Sequence, residues 1–194
     1  SHTEDEIFCG FYAGSSTTIP LAQGSVALTQ RTQYPFDGRI EIEVTPEAEG
    51  AEFTLWLRIP TWCTGSRFVS GELYSYADNT HSRATAKVNG RRVRAKAING
   101  MLPVCRKWKA GDVVTLSLDM PVRYSVADER VEADINRMCV TRGPLLYCAE
   151  QPDNEHAAYM YIVKDTKVSA AVGTVEDGIM KGIPTIKIKA AAAD

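Results

Sequence analysis

The sequence predicts an all-β protein, built as an antiparallel β-sandwich of the jelly-roll or immunoglobulin-like type. Short runs in which apolar and polar residues alternate recur along the chain, which is the pattern of strands with one buried face. These runs are separated by Gly, Pro, Asn and Asp, the residues that favour turns. Helical character is confined to residues 127–136, which is too little for a parallel α/β fold.

The clearest pair of strands lies at residues 24–34 and 39–45. The segment YPFDG between them contains Pro, Asp and Gly in an order that favours a turn. We therefore expect a hairpin with one buried face. The positions predicted to point inward are Val26, Leu28, Gln30, Ile40, Ile42 and Val44.

Two further signals extend the β pattern. Residues 52–60, EFTLWLRIP, place every second apolar side chain on one face before Pro60 ends the strand. The dipeptide Asn89-Gly90 between two valines is a strong hairpin signal. Trp108 lies between two lysines, and we expect its ring to point into the core.

Strand count and chain breakers predict the domain organisation. About eight strands precede Pro121, enough to close one sandwich. We therefore expect a β-sandwich domain at residues 1–121 and a second, truncated β segment or domain at residues 122–194. Residues 65–83 are the least regular stretch, and a connection of this length is typically functional or covers another surface.

Composition excludes several classes of function. Hydrophobic residues make up 44% and charged residues 24%, which is typical of a globular protein that folds in water. A formal net charge of -2 provides no global basic field, so nucleic acid and membranes are not expected partners. Phosphate-cradling glycine motifs are absent, which removes support for nucleotide chemistry. The sequence as given begins without a signal peptide; its localisation is left unknown, and a periplasmic or secreted parent protein is expected.

Five cysteines form an odd set without a CxxC pair, which predicts neither a disulfide framework nor a zinc finger. We expect them to be buried, reduced thiols. Cys148 and Glu150 lie two residues apart, so in a strand they would share one face and could flank a substrate. The neighbouring sequence offers no histidine or helix N-terminus that would activate the thiol. RGPLLYCAE is therefore interpreted as a strand of a sheet, and no catalytic residue is assigned.

Aromatic side chains near residues 65–83 are the candidates for sugar binding. Trp62, Tyr74 and Tyr76 could stack on sugar rings if exposed, although large aromatic residues of sandwiches more often anchor the core. The cluster DNTH at residues 78–81 could hold a metal ion, but such polar clusters are usually solvated turns. No metal and no cofactor is assigned to this chain.

Six phrases along the chain are specific as a set. In chain order they are YPFDGRIEIEV, FTLWLRIPTWC, ELYSYAD, KVNGRRV, LPVCRKWKAGDVVTLSLDMPVRY and RGPLLYCAEQPDN. Together they resemble the C-terminal β region of glycoside hydrolase family 127, which includes β-L-arabinofuranosidases, and the related family 146. The resemblance covers residues 8–189, and the insertion with ELYSYAD is similar to that of Bacteroides members.

The resemblance implies a helical (α/α)6 catalytic barrel followed by β-sandwich domains. In that family the barrel holds a zinc-bound cysteine nucleophile and a glutamate acid/base. The adjacent Cys-Cys pair and the Glu-x-Cys pattern of the family's ligand set do not occur in this sequence. Zinc and the catalytic residues are therefore expected in the missing barrel.

We accordingly predict the non-catalytic C-terminal β region of a retaining glycoside hydrolase, inactive alone. Its expected partners are the missing catalytic barrel and sugars derived from plant polysaccharides, and self-association through an exposed face is expected of such a region. One alternative is an autonomous carbohydrate-binding module, and another is a purely structural interaction domain. Sugar specificity is not predicted, because it would reside in the barrel.

Overall fold

Nearly all regular structure in the chain is β. The computed structural model describes residues 1–64, 71–78, 80–164 and 171–192. The strands that begin before residue 120 are β1 (Glu6–Cys9), β2 (Ser15–Leu21), β3 (Gly24–Thr32), β4 (Arg39–Pro46), β5 (Glu52–Arg58), β6 (Tyr74–Tyr76), β7 (Ala84–Val88), β8 (Arg91–Arg92), β9 (Met101–Lys107) and β10 (Asp112–Leu118). The later strands are β11 (Val122–Ala127), β12 (Met138–Arg142), β13 (Leu145–Tyr147), β14 (Tyr161–Ile162), β15 (Ala171–Thr174), β16 (Pro184–Lys187) and β17 (Ala191–Ala192).

Helical structure within the described residues is limited to single turns. The helix α1 (Thr61–Thr64) follows β5, and 3-10 turns lie at Glu132–Asp134, Gln151–Asp153 and Ala158–Met160. The helical pattern at residues 127–136 gives only one such turn, and no side chain caps its N-terminus. No helix in the described part of the chain is long and apolar enough to cross a membrane.

The chain divides into two compact units. Unit 1 comprises Ser1–Thr64 and Ser82–Met120, and unit 2 comprises Gly65–His81 and Pro121–Asp194. The segment Gly65–His81 thus interrupts unit 1 in sequence but belongs with unit 2, because β6 pairs with β11. The sequence-based boundary at residue 121 left this segment in the first domain, since strand count does not reveal which sheet an insertion joins.

Unit 1 is built from two sheets of its described residues. One sheet has the antiparallel order β2-β3-β4-β10-β7-β8; the other has the order β1-β5-β9, in which β1 runs parallel to β5. The alternation seen in the sequence places one face of β4 and of β5 in the core, which confirms those inward positions. The fully or almost fully buried residues of these two strands include Ile40, Ile42, Val44, Phe53, Leu55 and Leu57. The sandwich-like, all-β prediction is confirmed.

Turn chemistry fixes the two predicted hairpins of unit 1. β3 pairs with β4, and the intervening turn ends at Gly38, where a Cβ atom would collide with the carbonyl oxygen of Leu118. β7 pairs with β8 through Asn89 and Gly90, whose φ angles of 49° and 79° suit the two-residue turn that matches strand twist. Asn89 also accepts a hydrogen bond from the Val113 N–H at 2.8 Å. Both hairpin predictions are confirmed.

Trp108 anchors the core of unit 1, as its position between lysines predicted. Its side chain is 0% exposed, and its ring stacks on Phe53 with 5.4 Å between centroids. The indole Nε1–H donates to the carbonyl oxygen of Phe53 at 3.0 Å, so the polar atom of the ring is satisfied inside the core.

Unit 2 has shorter strands than unit 1. Its described residues form an antiparallel sheet with the order β13-β12-β11-β6 and two separate antiparallel pairs, β14 with β17 and β15 with β16. β6 and β13 are the outer strands of the four-stranded sheet. This position places the two candidate tyrosines at one sheet edge and the RGPLLYCAE strand at the other.

Candidate functional site

Trp62 is not available as a sugar-stacking ring. Pro60 follows β5, and the single turn of α1 brings Trp62 into unit 1, where it is only 7% exposed. Burial of this apolar ring stabilises the unit, and no ring face is left for a sugar. The condition for sugar stacking, an exposed ring, is therefore not met at Trp62, which anchors the core instead.

Tyr74 and Tyr76 lie in β6, at the edge of the four-stranded sheet, and both are half-buried. Backbone hydrogen bonds continue beyond the strand at both ends, from the Asp128 N–H to the Leu73 carbonyl and from the Ala77 N–H to the Tyr124 carbonyl, each at 2.8 Å. The segment that carries the two tyrosines is thus fixed to β11 along its length.

A buried arginine lies beside Tyr76. Arg123 in β11 has a side chain only 5% exposed, and its Cζ atom lies 3.2 Å from the centroid of the Tyr76 ring. Its Nε lies 3.5 Å from Oδ1 of Asp78, which also accepts the Thr80 N–H at 2.7 Å. We call Tyr76, Asp78, Arg123 and Thr141 the Arg123 cluster; Thr141 faces Arg123 across the β11–β12 pair.

Electrostatics explains why the cluster is stable. A buried guanidinium is costly unless a carboxylate compensates its charge, and here Asp78 does so while the Tyr76 ring provides a cation–π contact. Burial raises the pKa of the Tyr76 hydroxyl, and the charge of Arg123 opposes that rise. Tyr76 therefore stays neutral and keeps its ring against the cation.

The cluster and the neighbouring Ser125 also contain polar atoms without a hydrogen-bonding partner among the described residues. They include Nε and Nη1 of Arg123 and Oγ of Ser125. These atoms are inaccessible to solvent, so a dissolved sugar cannot reach them in this conformation. The arrangement is suited to holding residues 71–78 in place, and the face of Tyr76 that meets Arg123 is closed to a sugar ring.

Cys148 and Glu150 do not lie in a strand of the described structure, so the shared strand face considered for them is not formed. β13 ends at Tyr147, and both residues follow it in exposed positions. The expectation that all five cysteines are buried is wrong for Cys105 and Cys148, which are exposed, and Cys139 is intermediate. Edge strands and strand ends explain this result, because alternation alone does not tell which face has a covering layer.

The described residues do not fit a zinc site. They contain no group of three or more His, Cys, Asp or Glu side chains placed to hold a metal ion. In the cluster at residues 78–81, Asp78 pairs with Arg123, and Asn79 lies outside the described residues. No chemical step can be derived from a metal bound to this part of the protein.

Arg123 is the residue that the sequence analysis missed. It lies in VRYSVA, where one arginine interrupts an otherwise weakly polar strand. A charged residue within such a run signals a buried ion pair or a bulge, and that signal could have marked it. Its partner Asp78 is remote in sequence, so the pair itself could not be found without the fold.

Comparisons with known proteins agree with this architecture. A family model described as "Beta-L-arabinofuranosidase, GH127 middle domain" matches residues 6–120, and one described as "Glycoside hydrolase family 127 C-terminal domain" matches residues 122–190. A non-reducing end beta-L-arabinofuranosidase of Bifidobacterium longum subsp. longum is 32% identical over 181 residues, covering 90% of this chain and 24% of that protein.

Solved structures give the same result. A GH127 beta-arabinofuranosidase superposes with a TM-score of 0.88 at 35% identity, covering 97% of this chain and 29% of that one. A GH127 beta-L-arabinofuranosidase from Geobacillus stearothermophilus T6 has a TM-score of 0.77 at 32% identity, covering 96% and 26%. The chain thus spans roughly a quarter of the length of these relatives. It belongs to glycoside hydrolase family 127 and covers the middle and C-terminal domains of that family.

Proposed function

We propose that this chain is the non-catalytic β region of a β-L-arabinofuranosidase-type glycoside hydrolase and supports a helical catalytic domain of the same protein. The observation that carries the proposal is the pair of family matches, which cover the middle and C-terminal domains and nearly the whole chain. The relatives' names supply the substrate class, β-L-arabinofuranosides.

Zinc, if the whole protein uses it, is proposed to be held by the catalytic domain. A zinc-bound thiolate is deprotonated and nucleophilic, which is the chemistry that the family resemblance implies. The described residues of this chain offer no cluster for such an ion. Their contribution is structural: they bury apolar surface and fix segments in place.

We further propose that residues 65–83 shape the edge of the substrate site. The Arg123 cluster supports this role, because residues 73–78 of that segment are fixed to β11 through a buried ion pair, a ring contact and backbone hydrogen bonds. Arg123 would then act as a positioning residue, through the segment that it holds.

The surface of unit 2 supports the proposal that this unit contacts another part of the protein. Unit 2 exposes large apolar side chains such as Tyr159 at 89% and Ile179 at 101%. Exposed apolar side chains mark a surface that binds a partner where they form one contiguous patch. The alternative of an autonomous carbohydrate-binding module is disfavoured, because Trp62 is buried and Arg123 covers one face of Tyr76.

The first experiment tests the non-catalytic role. The 194-residue chain is incubated with zinc and p-nitrophenyl β-L-arabinofuranoside, and we expect no release of nitrophenol above the buffer rate. Cys148→Ala serves as a matched variant, since Cys148 is the exposed thiol nearest to a glutamate in sequence. Turnover by the chain that disappears in Cys148→Ala would overturn the assignment.

The second experiment tests the positioning role in the complete natural protein. Arg123→Met should lower kcat/KM by about tenfold, because small displacements near a substrate are costly. The zinc content should stay unchanged. The control is Arg130→Met, which removes an exposed arginine of the same unit that pairs with Asp128. Equal kinetics for both variants and the natural protein would refute a positioning role for Arg123.

A further inference from the structure

The near-neutral total charge of the chain hides a strong segregation of charge. Between Asp78 and Asp112 the sequence contains nine basic residues and no acidic residue. The rest of the chain therefore carries 13 Lys and Arg against 24 Asp and Glu. The nine basic residues are Arg83, Lys87, Arg91, Arg92, Arg94, Lys96, Arg106, Lys107 and Lys109.

Four of these basic residues line a groove of unit 1. The groove has a volume of about 920 Å³ and lies between the β7–β8 hairpin and β9. β8 and β9 are the outermost strands of the two sheets, so the groove opens where both sheets present an edge. Its basic residues are Arg91, Arg92, Arg106 and Lys107, and its apolar residues include Val93 and Val104. We call it the arginine groove.

Arg106, which lines one wall of the arginine groove, is held in place by two contacts. The Arg106 guanidinium lies 5.4 Å from the centroid of the Trp108 ring, and its Nη2 lies 3.6 Å from Oδ2 of Asp112. Asp112 is held by the Asn89 amide at 2.7 Å and by the Lys109 N–H at 3.0 Å. A cation fixed in this way needs little ordering when it binds an anion.

Most of the positive charge in the groove remains uncompensated. Asp112 offsets Arg106, but no acidic side chain of the described residues forms an ion pair with Arg91, Arg92 or Lys107. Arg91 and Arg92 are exposed on the two-residue strand β8. The groove therefore attracts anions although the chain as a whole does not.

The groove is better suited to a small oligoanion than to an added peptide strand. Its volume falls within the range of ligand sites, roughly 300–1,000 Å³. Guanidinium groups bind planar carboxylates through two parallel hydrogen bonds, and the valines offer an apolar surface to a sugar ring. β9 contains Pro103, which lacks a backbone donor, and basic residues; both features protect edge strands from pairing.

We propose that the arginine groove binds a carboxylated oligosaccharide, a short chain of uronic acids. The guanidinium groups of Arg91 and Arg92 bind the carboxylates, and Arg106 fixes the position of one of them. The choice of a saccharide rests on the proposed function, whereas the choice of an anion rests on the groove alone.

The test is a calorimetric titration of the 194-residue chain with trigalacturonate, its methyl ester and inorganic phosphate. We expect saturable binding of trigalacturonate that weakens as the ionic strength rises from about 0.05 M to about 0.5 M. The neutral methyl ester, of equal length, should bind at least about tenfold more weakly, since the ion pairs are lost. Phosphate should compete only at far higher concentration, because it spans a single cationic position.

Charge-reversal variants locate the site. Arg91→Glu with Arg92→Glu should weaken trigalacturonate binding at least about tenfold, through loss of two ion pairs and added repulsion. The matched control, Lys187→Glu with Lys189→Glu, makes the same change in net charge at exposed positions of unit 2 and should leave binding unchanged. Circular dichroism verifies that both variants stay folded.

Three outcomes would overturn the proposal: no saturable binding, equal binding of the methyl ester, or equal loss of binding in the two double variants. Competition by phosphate at the concentration of trigalacturonate would overturn the saccharide part and leave a general anion site. The titration measures binding alone, so its result is independent of the turnover experiment above. Failure of one proposal can thus be told from failure of the other.

Discussion

The two units bury different kinds of side chains. Of the 24 hydrophobic residues that are buried in the described part of the chain, 23 belong to unit 1 and only Tyr124 belongs to unit 2. Among the described residues, three of the four buried polar or charged ones lie in unit 2: Arg123, Ser125 and Thr141. Of the eleven large hydrophobic residues that are exposed in these same ranges, eight belong to unit 2, namely Leu73, Ile135, Leu146, Tyr159, Ile162, Val172, Ile179 and Met180.

This difference shows that the units are stabilised in different ways. Unit 1 gains its free energy of folding from apolar burial between two sheets. Unit 2 depends on backbone pairing and on the buried ion pair of Arg123 with Asp78. Unit 2 is therefore expected to unfold first.

The largest expected effect is removal of the core anchor of unit 1. Trp108→Ala should lower the free energy of unfolding by about 3–5 kcal/mol, because it leaves a cavity beside Phe53 and an unsatisfied carbonyl. Urea denaturation followed by circular dichroism measures the change. Trp108→Phe keeps an aromatic ring and should lose less. A loss below about 1 kcal/mol for the alanine variant would contradict an apolar core as the main support of unit 1.

The strands of unit 1 were predictable because apolar residues alternate with polar ones in the sequence, and every second side chain enters the core. Ile40, Ile42 and Val44 alternate with polar residues, and one face of their strand is fully buried. Asn89-Gly90 specifies its turn locally, since both residues adopt positive φ. The burial of Trp62 could not be predicted in the same way. It follows an irregular break after Pro60, and the sequence does not show that the turn α1 directs its ring into the core.

The next effect is removal of the buried cation of unit 2. Arg123→Ala should destabilise unit 2 by about 3 kcal/mol, because it leaves the Asp78 carboxylate without its partner and removes the contact with Tyr76. Amide hydrogen exchange should accelerate in β6 and β11 and stay unchanged in the core strands of unit 1. Exchange that accelerates equally in both units would show that the two units unfold as one.

Two controls separate charge from packing at this position. Arg130→Ala removes an exposed arginine whose partner Asp128 is two residues away, and it should leave the free energy of unfolding almost unchanged. Arg123→Met combined with Asp78→Asn removes both charges and should recover part of the loss, since no unpaired charge remains. A double variant less stable than Arg123→Ala would contradict this account.

The Arg123 cluster could not be predicted, because its members meet only through tertiary pairing. Tyr76 and Asp78 join Arg123 when the inserted segment adds a strand to β11. No local signal identifies the sheet that accepts such a strand. The arginine groove was missed for a related reason: total charge averages over the chain, whereas β8 and β9 gather basic residues from two hairpins.

The third prediction uses pH to separate buried from exposed thiols. Burial raises the pKa of Cys9 in unit 1 from 9.0 to about 11. A raised pKa stabilises the folded state below the unfolded pKa, and this contribution is lost as pH rises through about 11. The Cys9 thiol alone should thus lower the free energy of unfolding by about 2–3 kcal/mol between pH 9 and pH 11, as measured by urea denaturation.

Variants assign the alkaline effect to the buried thiols. Cys9→Ala should flatten the curve of stability against pH, although Cys63, whose pKa burial also raises to about 11, leaves a residual slope. Cys148→Ala alters an exposed residue of unit 2 and should leave the curve as it is. An identical slope in all three proteins would mean that another group controls alkaline unfolding.

The smallest effect on stability is expected at the exposed apolar surface of unit 2. Ile179 is 101% exposed in the connection between β15 and β16, so Ile179→Ser removes no packing and should change the free energy of unfolding by less than about 0.5 kcal/mol.

If the surface binds a second copy of the chain, sedimentation velocity should show less self-association in the Ile179→Ser variant. The control is Lys181→Gln, which changes an exposed residue of the same connection and removes no apolar side chain. A loss above about 1 kcal/mol for Ile179→Ser would show that the side chain is packed within the unit, and the contrast between a self-sufficient unit 1 and an incomplete unit 2 would then weaken.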